Sequence, residues 1–381
     1  MSGPLAGIRI IELAGIGPVP FAGMLLSDAG ADIIRIDRIE EETVESRDRQ
    51  RLDLLNRGRR SVAVDLKHDD GVKLVLRLVE QADGLMEGFR PGVTERLGLG
   101  PDPCLKRNPK LVYGRMTGWG QDGPMSQAAG HDIDYIALAG TLGMIGRAGE
   151  GPVPPINLLG DFGGGGMLLA FGMLAALIGA SETGRGQVID AAMVDGTALL
   201  TTMIHSLKYQ GSWREDRGTN LLDTGAHFYD VYETADGGFI AVGAIEHKFY
   251  RELIELMGLG EETLPVQMDR ESWPMMRRVF AEAFSNKSRS QWESIFAGSD
   301  ACAVPVLTLD EARNHPHLVH RSTFTKVNNI PQPSPAPRFE GTPSTIKRPP
   351  PSFGEGGDEA LSEWSINTED INHLRLIGAI R

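Results

Sequence analysis

Two residues that can move protons, His131 and Asp161, lie in one stretch of the chain, residues 130–166. The proline-rich residues 151–155 separate them and cannot form a continuous helix or a central strand. The sequence therefore places the imidazole and the carboxylate on two elements joined by a stiff loop. An enzyme that works on both faces of one carbon atom needs such an arrangement.

The histidine alone does not establish chemistry, because a single histidine is more often a structural hydrogen-bond partner than a catalyst. A helical pattern starts beside His131, so we expect this residue near the N-terminal end of a helix. The adjacent Asp132 could orient the imidazole, although neighbouring residues on a helix point in different directions.

Asp161 is followed by Phe162 and by four consecutive glycines, residues 163–166, before a long apolar helix pattern. Aspartate is a preferred N-cap, which is the structural interpretation. Glycine costs about 1 kcal/mol per residue relative to alanine in a helix, so the glycine run needs a reason. Two reasons stay open. One is close approach of a ligand whose oxyanion binds the bare N–H groups, and the other is helix packing through small residues.

Composition limits the class of protein. The chain has 381 residues, of which 41% are hydrophobic, and a net charge of -13. These values predict a soluble globular protein of about two to three domains. The acidic balance argues against a nucleic-acid partner but leaves room for an anionic ligand held by a local basic cluster. Cys104 and Cys302 have neither a metal-site spacing nor a disulfide framework, which fits a reducing compartment.

No segment predicts secretion or a membrane partner. The N-terminus lacks a basic region before an apolar run, so it does not resemble a signal peptide. The apolar residues 167–180 are too few to span a bilayer, and we expect them to form a buried core helix. The last residues are not a peroxisomal address. A cytoplasmic location is therefore predicted.

Strand patterns alternate with helix patterns through the first part of the chain, which predicts an α/β fold with a doubly wound parallel sheet. The predicted strands are residues 8–13, 31–36, 61–66, 84–87, 111–116 and 187–190. The glycine-rich residues 117–124 follow the fifth strand, at the sheet edge where such folds place ligands. Gly15 and Gly17 lack the rest of a dinucleotide fingerprint. The charged residues 38–60 are expected to form a mobile surface loop.

The character of the sequence changes near Gly211, and a smaller α+β domain is predicted for residues 211–329. It contains a predicted hairpin whose strands are residues 228–233 and 239–243. The large domain is predicted to comprise residues 1–210, completed by residues 330–381. In that last part a proline-rich strap leads to a terminal helix.

Several motifs together resemble the family III CoA-transferase superfamily, and within it the racemases that act on CoA thioesters. These motifs are ELAGIGP (12–18), RIDR (35–38), RPGV (90–93), GWGQ (118–121), AGHDIDY (129–135), GDFGGG (160–165), DAAMVDG (190–196) and YD (229–230). They span nearly the whole chain, and the likeness is closest to bacterial members. The resemblance implies an interlocked homodimer, with each active site between the large domain of one subunit and the small domain of the other.

The resemblance also implies the reaction, which is racemisation of 2-methylacyl-CoA. His131 would act on the (S) substrate and Asp161 on the (R) substrate, through an enolate bound by the Asp161 N–H group. Asn157 would hydrogen-bond Asp161, and Glu246 of the partner subunit would hold His131. The implied catalytic set is His131, Asp161, Asn157, Glu246, Asp132 and Tyr135.

For CoA, the resemblance implies Arg38 near the phosphates and Arg90 and Arg96 along the arm. The implied CoA-binding set is Arg38, Val64, Leu66, Lys67, Gly88, Arg90, Arg96 and Gly130. Neither a metal nor a separate cofactor is expected, because CoA is part of the substrate.

The alternative within the superfamily is a CoA-transferase that uses Asp161 as a nucleophile and forms a mixed anhydride. The resemblance favours the racemase, because the transferases lack the histidine motif. A non-catalytic CoA-binding module would lack one of the two bases. Asp134 occupies a position where family members commonly carry asparagine, and we expect this extra carboxylate near His131 to affect the pH dependence.

Overall fold

The computed structural model describes residues 3–39, 43–260 and 264–381. The strands are β1 (Arg9–Leu13), β2 (Asp32–Asp37), β3 (Arg60–Ala63), β4 (Gly84–Glu87), β5 (Val112–Thr117), β6 (Val188–Ala192), β7 (Tyr229–Glu233), β8 (Phe239–Gly243), β9 (Ala303–Pro305), β10 (Phe324–Val327) and β11 (Ile330–Pro333).

The α-helices from the N-terminus to the middle of the chain are α1 (Pro18–Asp28), α2 (Val44–Leu52), α3 (Asp69–Val79), α4 (Val93–Arg96), α5 (Pro101–Arg107), α6 (Asp132–Leu138), α7 (Met167–Thr183), α8 (Met193–Leu200) and α9 (Thr202–Tyr209). The later ones are α10 (His247–Met257), α11 (Trp273–Phe284), α12 (Arg289–Phe296), α13 (Leu309–Asn314), α14 (Pro316–His320), α15 (Gly357–Glu363) and α16 (Thr368–Leu376). Short 3₁₀ turns form at Leu54–Asn56 and Leu142–Met144, and a π-helix at Leu158–Gly166.

The large sheet has six strands in the order β3-β2-β1-β4-β5-β6. Every neighbouring pair is parallel, with Ile10 opposite Ile33 in β2 and Ile11 opposite Leu85 in β4. Parallel strands are covered on both faces, which is why β1, β2 and β5 are almost continuously buried. The predicted doubly wound α/β fold is confirmed.

Helices cover both faces of this sheet. One face packs on α3, α15 and α16, whose apolar side chains include Leu74, Leu361 and Leu374. The other face packs on α1 and α7, which contribute Leu26 and Met173. The terminal helix predicted from the sequence is therefore part of the core of the large sheet.

The described chain divides into two compact units. The first contains the residues up to Ala139, Ile156–Leu200 and Ser322–Arg381, and the second contains Gly140–Pro155 and Thr201–Arg321. The second unit thus includes a segment that precedes Asp161 in the sequence. The domain boundaries predicted at 210/211 and 329/330 stay a prediction.

In the second unit, β7, β8 and β9 form an antiparallel sheet. Tyr229 to Glu233 pair with Gly243 to Phe239, so the predicted hairpin is confirmed. The core of this unit is largely aromatic, and the ring of Tyr250 contacts those of Phe228 and Phe280. Helices α10, α11 and α12 supply most of the remaining apolar side chains.

The mobile surface loop predicted at residues 38–60 is contradicted in part, because the segment contains a helix and ends in buried arginines. Its mobility stays a prediction, and residues 40–42 lie outside the described residues. Helix α2 occupies part of this segment, and Arg59 is fully buried. The Arg59 Nε group donates to Glu12 Oε2 at 3.0 Å, and neither side chain is exposed. Gly23 of α1 leaves the space, since a Cβ atom there would lie 2.2 Å from Glu12 Oε2. A charge-rich segment is normally predicted to be exposed to solvent. The sequence does not show which of its charged side chains form ion pairs with partners in the core, so Arg59 was predicted to be exposed.

The expectation that residues 167–180 are too few to span a bilayer was also wrong about length. The π-helix runs directly into α7, and together they form a helix of 26 residues, Leu158–Thr183. By length and composition alone this helix could cross a membrane, but one such helix is weak evidence because core helices pass the same test. Only 39% of its most apolar window is buried, and Phe171 and Ile178 are exposed.

A buried histidine in the second unit makes the stability of the protein sensitive to acid. The His227 ring is enclosed by aromatic rings, and its Nε2 atom is 2.8 Å from the hydroxyl oxygen of Tyr250. Burial, assisted by the charge of Arg277, lowers the pKa of His227 from 6.5 to about 4. Between these two pH values the unfolded chain binds a proton that the folded chain excludes, so stability is lost as the pH falls.

We therefore expect the free energy of unfolding of the wild type to fall, relative to that of His227→Gln, by about 2 kcal/mol from pH 7 to pH 5. Urea unfolding of both proteins at the two pH values measures this difference. His317→Gln, which changes an exposed histidine of the same unit, is the control and should track the wild type. Equal pH dependence of His227→Gln and the wild type would contradict the prediction.

Candidate active site

A cavity of about 610 Å³ lies at the carboxyl edge of the large sheet. Its walls follow the ends of β1, β4 and β5 and include residues 16–19, 88–91, 116–119 and 128–131, with Tyr135, Asn157, Asp161, Phe162 and Met193. The strand order reverses between β1 and β4, and open α/β sheets bind ligands outside this point. The ligand edge predicted for residues 117–124 therefore carries part of the cavity wall.

His131 is the N-cap residue of α6 and lines the cavity. Its backbone N–H donates to the carboxylate of Asp134, with a nitrogen–oxygen distance of 2.9 Å. Asp134 thus stabilises the first turn of α6, which gives this unusual carboxylate a structural role. The predicted effect of Asp134 on pH dependence stays a prediction.

Asp161 lies in the π-helix and also lines the cavity. The side-chain amide of Asn157 donates to Asp161 Oδ2 at 2.9 Å, which is the hydrogen bond that the sequence predicted. On the opposite side stands Gly17, where a Cβ atom would lie 3.4 Å from the same oxygen. The loop after β1 and the π-helix therefore meet at this carboxylate.

The Asp132 side chain is directed at the backbone of Asp161 and is hydrogen-bonded there. Its Oδ1 atom accepts the Asp161 N–H at 2.7 Å, while its Oδ2 atom is buried without a partner among the described residues. Burial raises the pKa of the Asp132 carboxyl, and the nearby charge of Asp161 adds to this increase, although hydrogen bonds from the N–H groups of Asp161 and Gly160 oppose it. The predicted free donor for an enolate is thus already engaged, and an enolate would have to share it with Asp132.

The four glycines serve helix packing. A Cβ atom at Gly164 would lie 2.5 Å from the backbone nitrogen of Thr197 in α8, and one at Gly166 would lie 2.7 Å from the carbonyl oxygen of Pro18 in α1. A Cβ atom at Gly165 would lie 3.1 Å from Cγ of Met193 in α8, and one at Gly163 would lie 3.3 Å from Cδ1 of Leu200 in the same helix. None of the four lines the cavity. Of the two interpretations left open by the sequence, packing through small residues is the one that the structure shows.

Tyr135 lines the cavity and supports the turn before His131. Its hydroxyl donates to the carbonyl oxygen of Gly130, and its ring packs edge-on against Trp119 with centroids 4.7 Å apart. A Cβ atom at Gly118 would lie 2.1 Å from the Tyr135 ring, so this glycine makes room for it. Because its hydroxyl is already bonded, Tyr135 in this arrangement positions Gly130 and His131.

Of the eight predicted CoA-binding residues, three line the cavity, two follow the ends of strands, and Arg96 ends α4. Gly88, Arg90 and Gly130 line the cavity. Arg38 and Lys67 follow the carboxyl ends of β2 and β3 and therefore lie along the same edge of the sheet. In the described part of the chain, no salt bridge or hydrogen bond engages the side chains of the four exposed cations, Arg38, Lys67, Arg90 and Arg96.

Two members of the predicted CoA-binding set are less available. Val64 is buried in the core, and its backbone forms a bridge with Ile380 near the C-terminus. Leu66 is partly buried against the same core. The side chain of Val64 therefore does not face the cavity.

Glu246 lies in the second unit, where it is the N-cap residue of α10. Its side chain is exposed. Its predicted contact with His131 of another subunit stays a prediction.

Sequence reasoning assigned no role to several residues of the cavity wall. Trp119, Phe89 and Phe162 contribute aromatic surface, and Ile16 comes from the loop after β1. These residues could have been found from the Gly/Pro loop after β1, because that loop lies where the strand order reverses and such sheets bind ligands there. Using this signal requires the strand order, which the sequence alone does not provide.

The arrangement places two Brønsted groups, an imidazole and a carboxylate, on separate elements of one cavity wall with exposed cations along the same sheet edge. Among residues 3–39, 43–260 and 264–381, no group of three or more His, Cys, Asp or Glu side chains could hold a metal ion. Chemically, the site can remove and return a proton on a ligand that carries negative charge at its other end.

Comparison with known proteins identifies relatives that match nearly the whole chain. The chain is 48% identical to the alpha-methylacyl-CoA racemase of Mus musculus and 45% identical to that of Homo sapiens. Each alignment covers 97% of this chain and 96% of the relative.

The fold has a solved counterpart in a CAIB/BAIF family protein from Brucella suis, with a TM-score of 0.82 and 23% identity over 96% of this chain and 100% of that one. The family model described as CoA-transferase family III matches residues 5–356. This chain is therefore a member of CoA-transferase family III.

Proposed function

We propose that this protein is a racemase that interconverts (R)- and (S)-2-methylacyl-CoA thioesters. The proposal rests mainly on one observation, that a single cavity brings His131 and Asp161 together from two different elements. The names of the mouse and human relatives support it.

In this proposal each base serves one face of the α-carbon. His131 takes the α-proton of the (S) substrate, the C–H electron pair moves into the thioester, and an enolate forms. Protonated Asp161 then gives its proton to the opposite face, and the thioester carbonyl is restored. His131 ends protonated and Asp161 ionised, which is the state required for the reverse reaction from the (R) substrate.

The enolate is stabilised where Asp132 and Asp161 meet. The Asp161 N–H donates to Asp132 Oδ1 at 2.7 Å, and an enolate oxygen would share this donor. A neutral Asp132 competes less for this N–H and repels the enolate less than an ionised one. Burial raises the pKa of the Asp132 carboxyl, and the charge of Asp161 adds to this increase, so Asp132 takes up a proton at a higher pH than an exposed aspartate does.

CoA binds along the sheet edge through the exposed cations. The protein has a net charge of -13, so general attraction does not bring a polyphosphate to it. Arg38, Lys67, Arg90 and Arg96 form a local exception, and guanidinium groups are suited to phosphate. No metal and no other cofactor is required for this chemistry.

The proposed assembly is a homodimer with shared active sites. Helix α7 exposes Phe171 at 68% and Ile178 at 64%, an apolar surface that a second copy would cover. The exposed Glu246 would then reach His131 of the partner. The two free cysteines fit the cytoplasm as the location.

The second candidate is a CoA-transferase of the same family, which the family match favours. In that reaction the Asp161 carboxylate attacks the thioester carbonyl, CoA leaves as the thiolate, and a mixed anhydride forms. The CoA thiolate then attacks the Asp161 carbonyl of this anhydride, which releases the first acid and leaves an aspartyl-CoA thioester. The carboxylate of the second acid attacks that thioester and expels CoA, and CoA finally attacks the acyl carbonyl of the new anhydride, which restores the Asp161 carboxylate. His131 has no role in these steps, whereas its position in the cavity wall is explained by proton transfer.

Incubation with (S)-2-methylacyl-CoA in deuterium oxide separates the two candidates. We expect racemisation together with incorporation of deuterium at the α-carbon. Chiral chromatography measures the first and mass spectrometry the second. CoA transfer to an added carboxylic acid without α-exchange would refute the racemase and support the transferase.

His131→Gln and Asp161→Asn should each lower the rate of racemisation by about 10²- to 10⁴-fold, because each removes one proton carrier. Each variant should still exchange the α-proton of the enantiomer that its remaining base serves, with retention of configuration. His131→Gln is thus expected to exchange the (R) substrate and Asp161→Asn the (S) substrate. Near-normal racemisation by either variant would contradict the assignment of two bases.

Asp132→Asn should keep the rate of racemisation within about tenfold of the wild type, because the amide oxygen still accepts the Asp161 N–H. Asp132→Ala leaves this backbone unsupported and should lower the rate about a hundredfold. In the wild type, kcat should fall as the pH rises through the raised pKa of Asp132, and this decrease should be absent from Asp132→Asn. An Asn variant as slow as the Ala variant would show that the carboxyl group itself is indispensable.

A further inference from the structure

The loop between the two proton-handling elements is attached to a part of the molecule that carries neither of them. Helix α6 ends at Leu138 and the π-helix begins at Leu158, both in the first unit. The chain between them, Gly140–Pro155, packs with the second unit. Because this loop continues covalently into both elements, whatever fixes it also restricts them.

The first attachment is an ion pair between a half-exposed arginine and a buried carboxylate. Arg147 of the loop donates two hydrogen bonds to Asp230 of β7, at 3.0 Å from Nη1 and 2.8 Å from Nη2. The Asp230 side chain is only 1% exposed, and the Arg277 Nε atom of α11 lies 3.0 Å from Asp230 Oδ2. A bidentate pair on a buried carboxylate fixes direction as well as distance.

The second attachment is made by Arg217. Its Nε group donates to the carbonyl oxygen of Glu150 at 3.0 Å, and its Nη1 group to that of Gly143 at 2.9 Å. Beside it, Gly218 approaches the loop so closely that a Cβ atom there would lie 2.2 Å from the backbone nitrogen of Ala148. Within the loop, the Val153 N–H donates to the carbonyl oxygen of Ile145 at 2.9 Å. Both halves of the loop are therefore fixed to the second unit.

Backbone strain lies where this loop ends. Ile156 has a φ of 60°, in the left-handed region, which is a genuine outlier for a β-branched residue. Such conformations persist only where the surrounding structure determines them. The next residue is Asn157, whose amide holds Asp161. The conformation at Ile156 thus connects the attached loop to the carboxylate.

We propose that Arg147 and Asp230 are positioning residues for proton transfer, acting through the loop on His131 and Asp161. This inference rests on the proposed function. An attached loop keeps the two bases in register on opposite faces of one carbon. A released loop lets the bases move apart, and an enolate that meets no acid on the second face is reprotonated by the first base. This return delivers deuterium to the original face once the proton on that base has exchanged with the solvent. Inversion then fails more often than abstraction does.

The test is the ratio of racemisation to α-proton exchange in deuterium oxide for Arg147→Met. We expect this ratio to fall about tenfold or more, because misplacement of a reacting group by about 1 Å costs up to a hundredfold in rate. KM should change less than about twofold. Arg147→Lys keeps the charge but loses the bidentate contact, and it should recover part of the ratio. Loss of folded protein lowers both rates equally and leaves the ratio unchanged.

Arg289→Met is the matched control, because it removes an ion pair of the same unit, with Glu311, that does not touch the loop. Its ratio should equal that of the wild type. Hydrogen–deuterium exchange of the backbone amides should be faster in α6 and in the π-helix of Arg147→Met only. A wild-type ratio in Arg147→Met overturns the inference.

If the wild type neither exchanges nor racemises the substrate, the proposed function has failed, and amide exchange alone then decides the positioning claim. Unchanged amide exchange in both segments of Arg147→Met would overturn it.

Discussion

A fully buried ion pair between Glu12 and Arg59 determines how the first unit is built around its site. Glu12 lies near the carboxyl end of β1, and it also accepts a hydrogen bond from Arg35 of β2 at 2.9 Å. Arg59 in turn donates to the carbonyl oxygen of Pro20 in α1. Removing one partner of such a pair costs about 3–5 kcal/mol, because the remaining charge stays in the core without compensation. The network therefore fixes α1, and with it the loop after β1 that faces Asp161.

The site is assembled from parts with different kinds of support. His131 is held by a helix start, through its own backbone and Asp134, and its imidazole is left exposed. Asp161 is held by two side chains, Asn157 at the carboxylate and Asp132 at the backbone. Asp132 belongs to the helix that His131 caps, so one residue joins the supports of both bases. The adjacent residues His131 and Asp132 therefore have different roles, since the first presents an imidazole to the cavity and the second supports the backbone of Asp161.

Much of the fold could be predicted from the sequence, for physical reasons. Buried parallel strands are apolar runs, so β1, β2 and β5 could be recognised without long-range information. The pairing of His131 with Asp161 followed from a motif resemblance. The sequence between them contains prolines and does not form one continuous element, so the number of intervening residues does not show that the two side chains come together. Packing was harder to predict. The glycine run looked ambiguous because a missing Cβ atom has the same sequence signature whether a ligand or a helix approaches it. Arg59 looked solvated, and Val64 looked available, because burial depends on distant partners.

The π-helix at Leu158–Gly166 has a consequence for how this site could be lost. A π-helix has one more residue in each hydrogen-bonded turn than an α-helix has. Here the N–H of Met167 donates to the carbonyl oxygen of Phe162, five residues back. Deleting a single glycine would allow the ordinary winding to return, but it would also move bulkier residues into positions beside α1 and α8 where no Cβ atom fits. The direction of Asp161 is thus preserved by a locally less favourable helix, whose extra residue cannot be removed without loss of the packing around it.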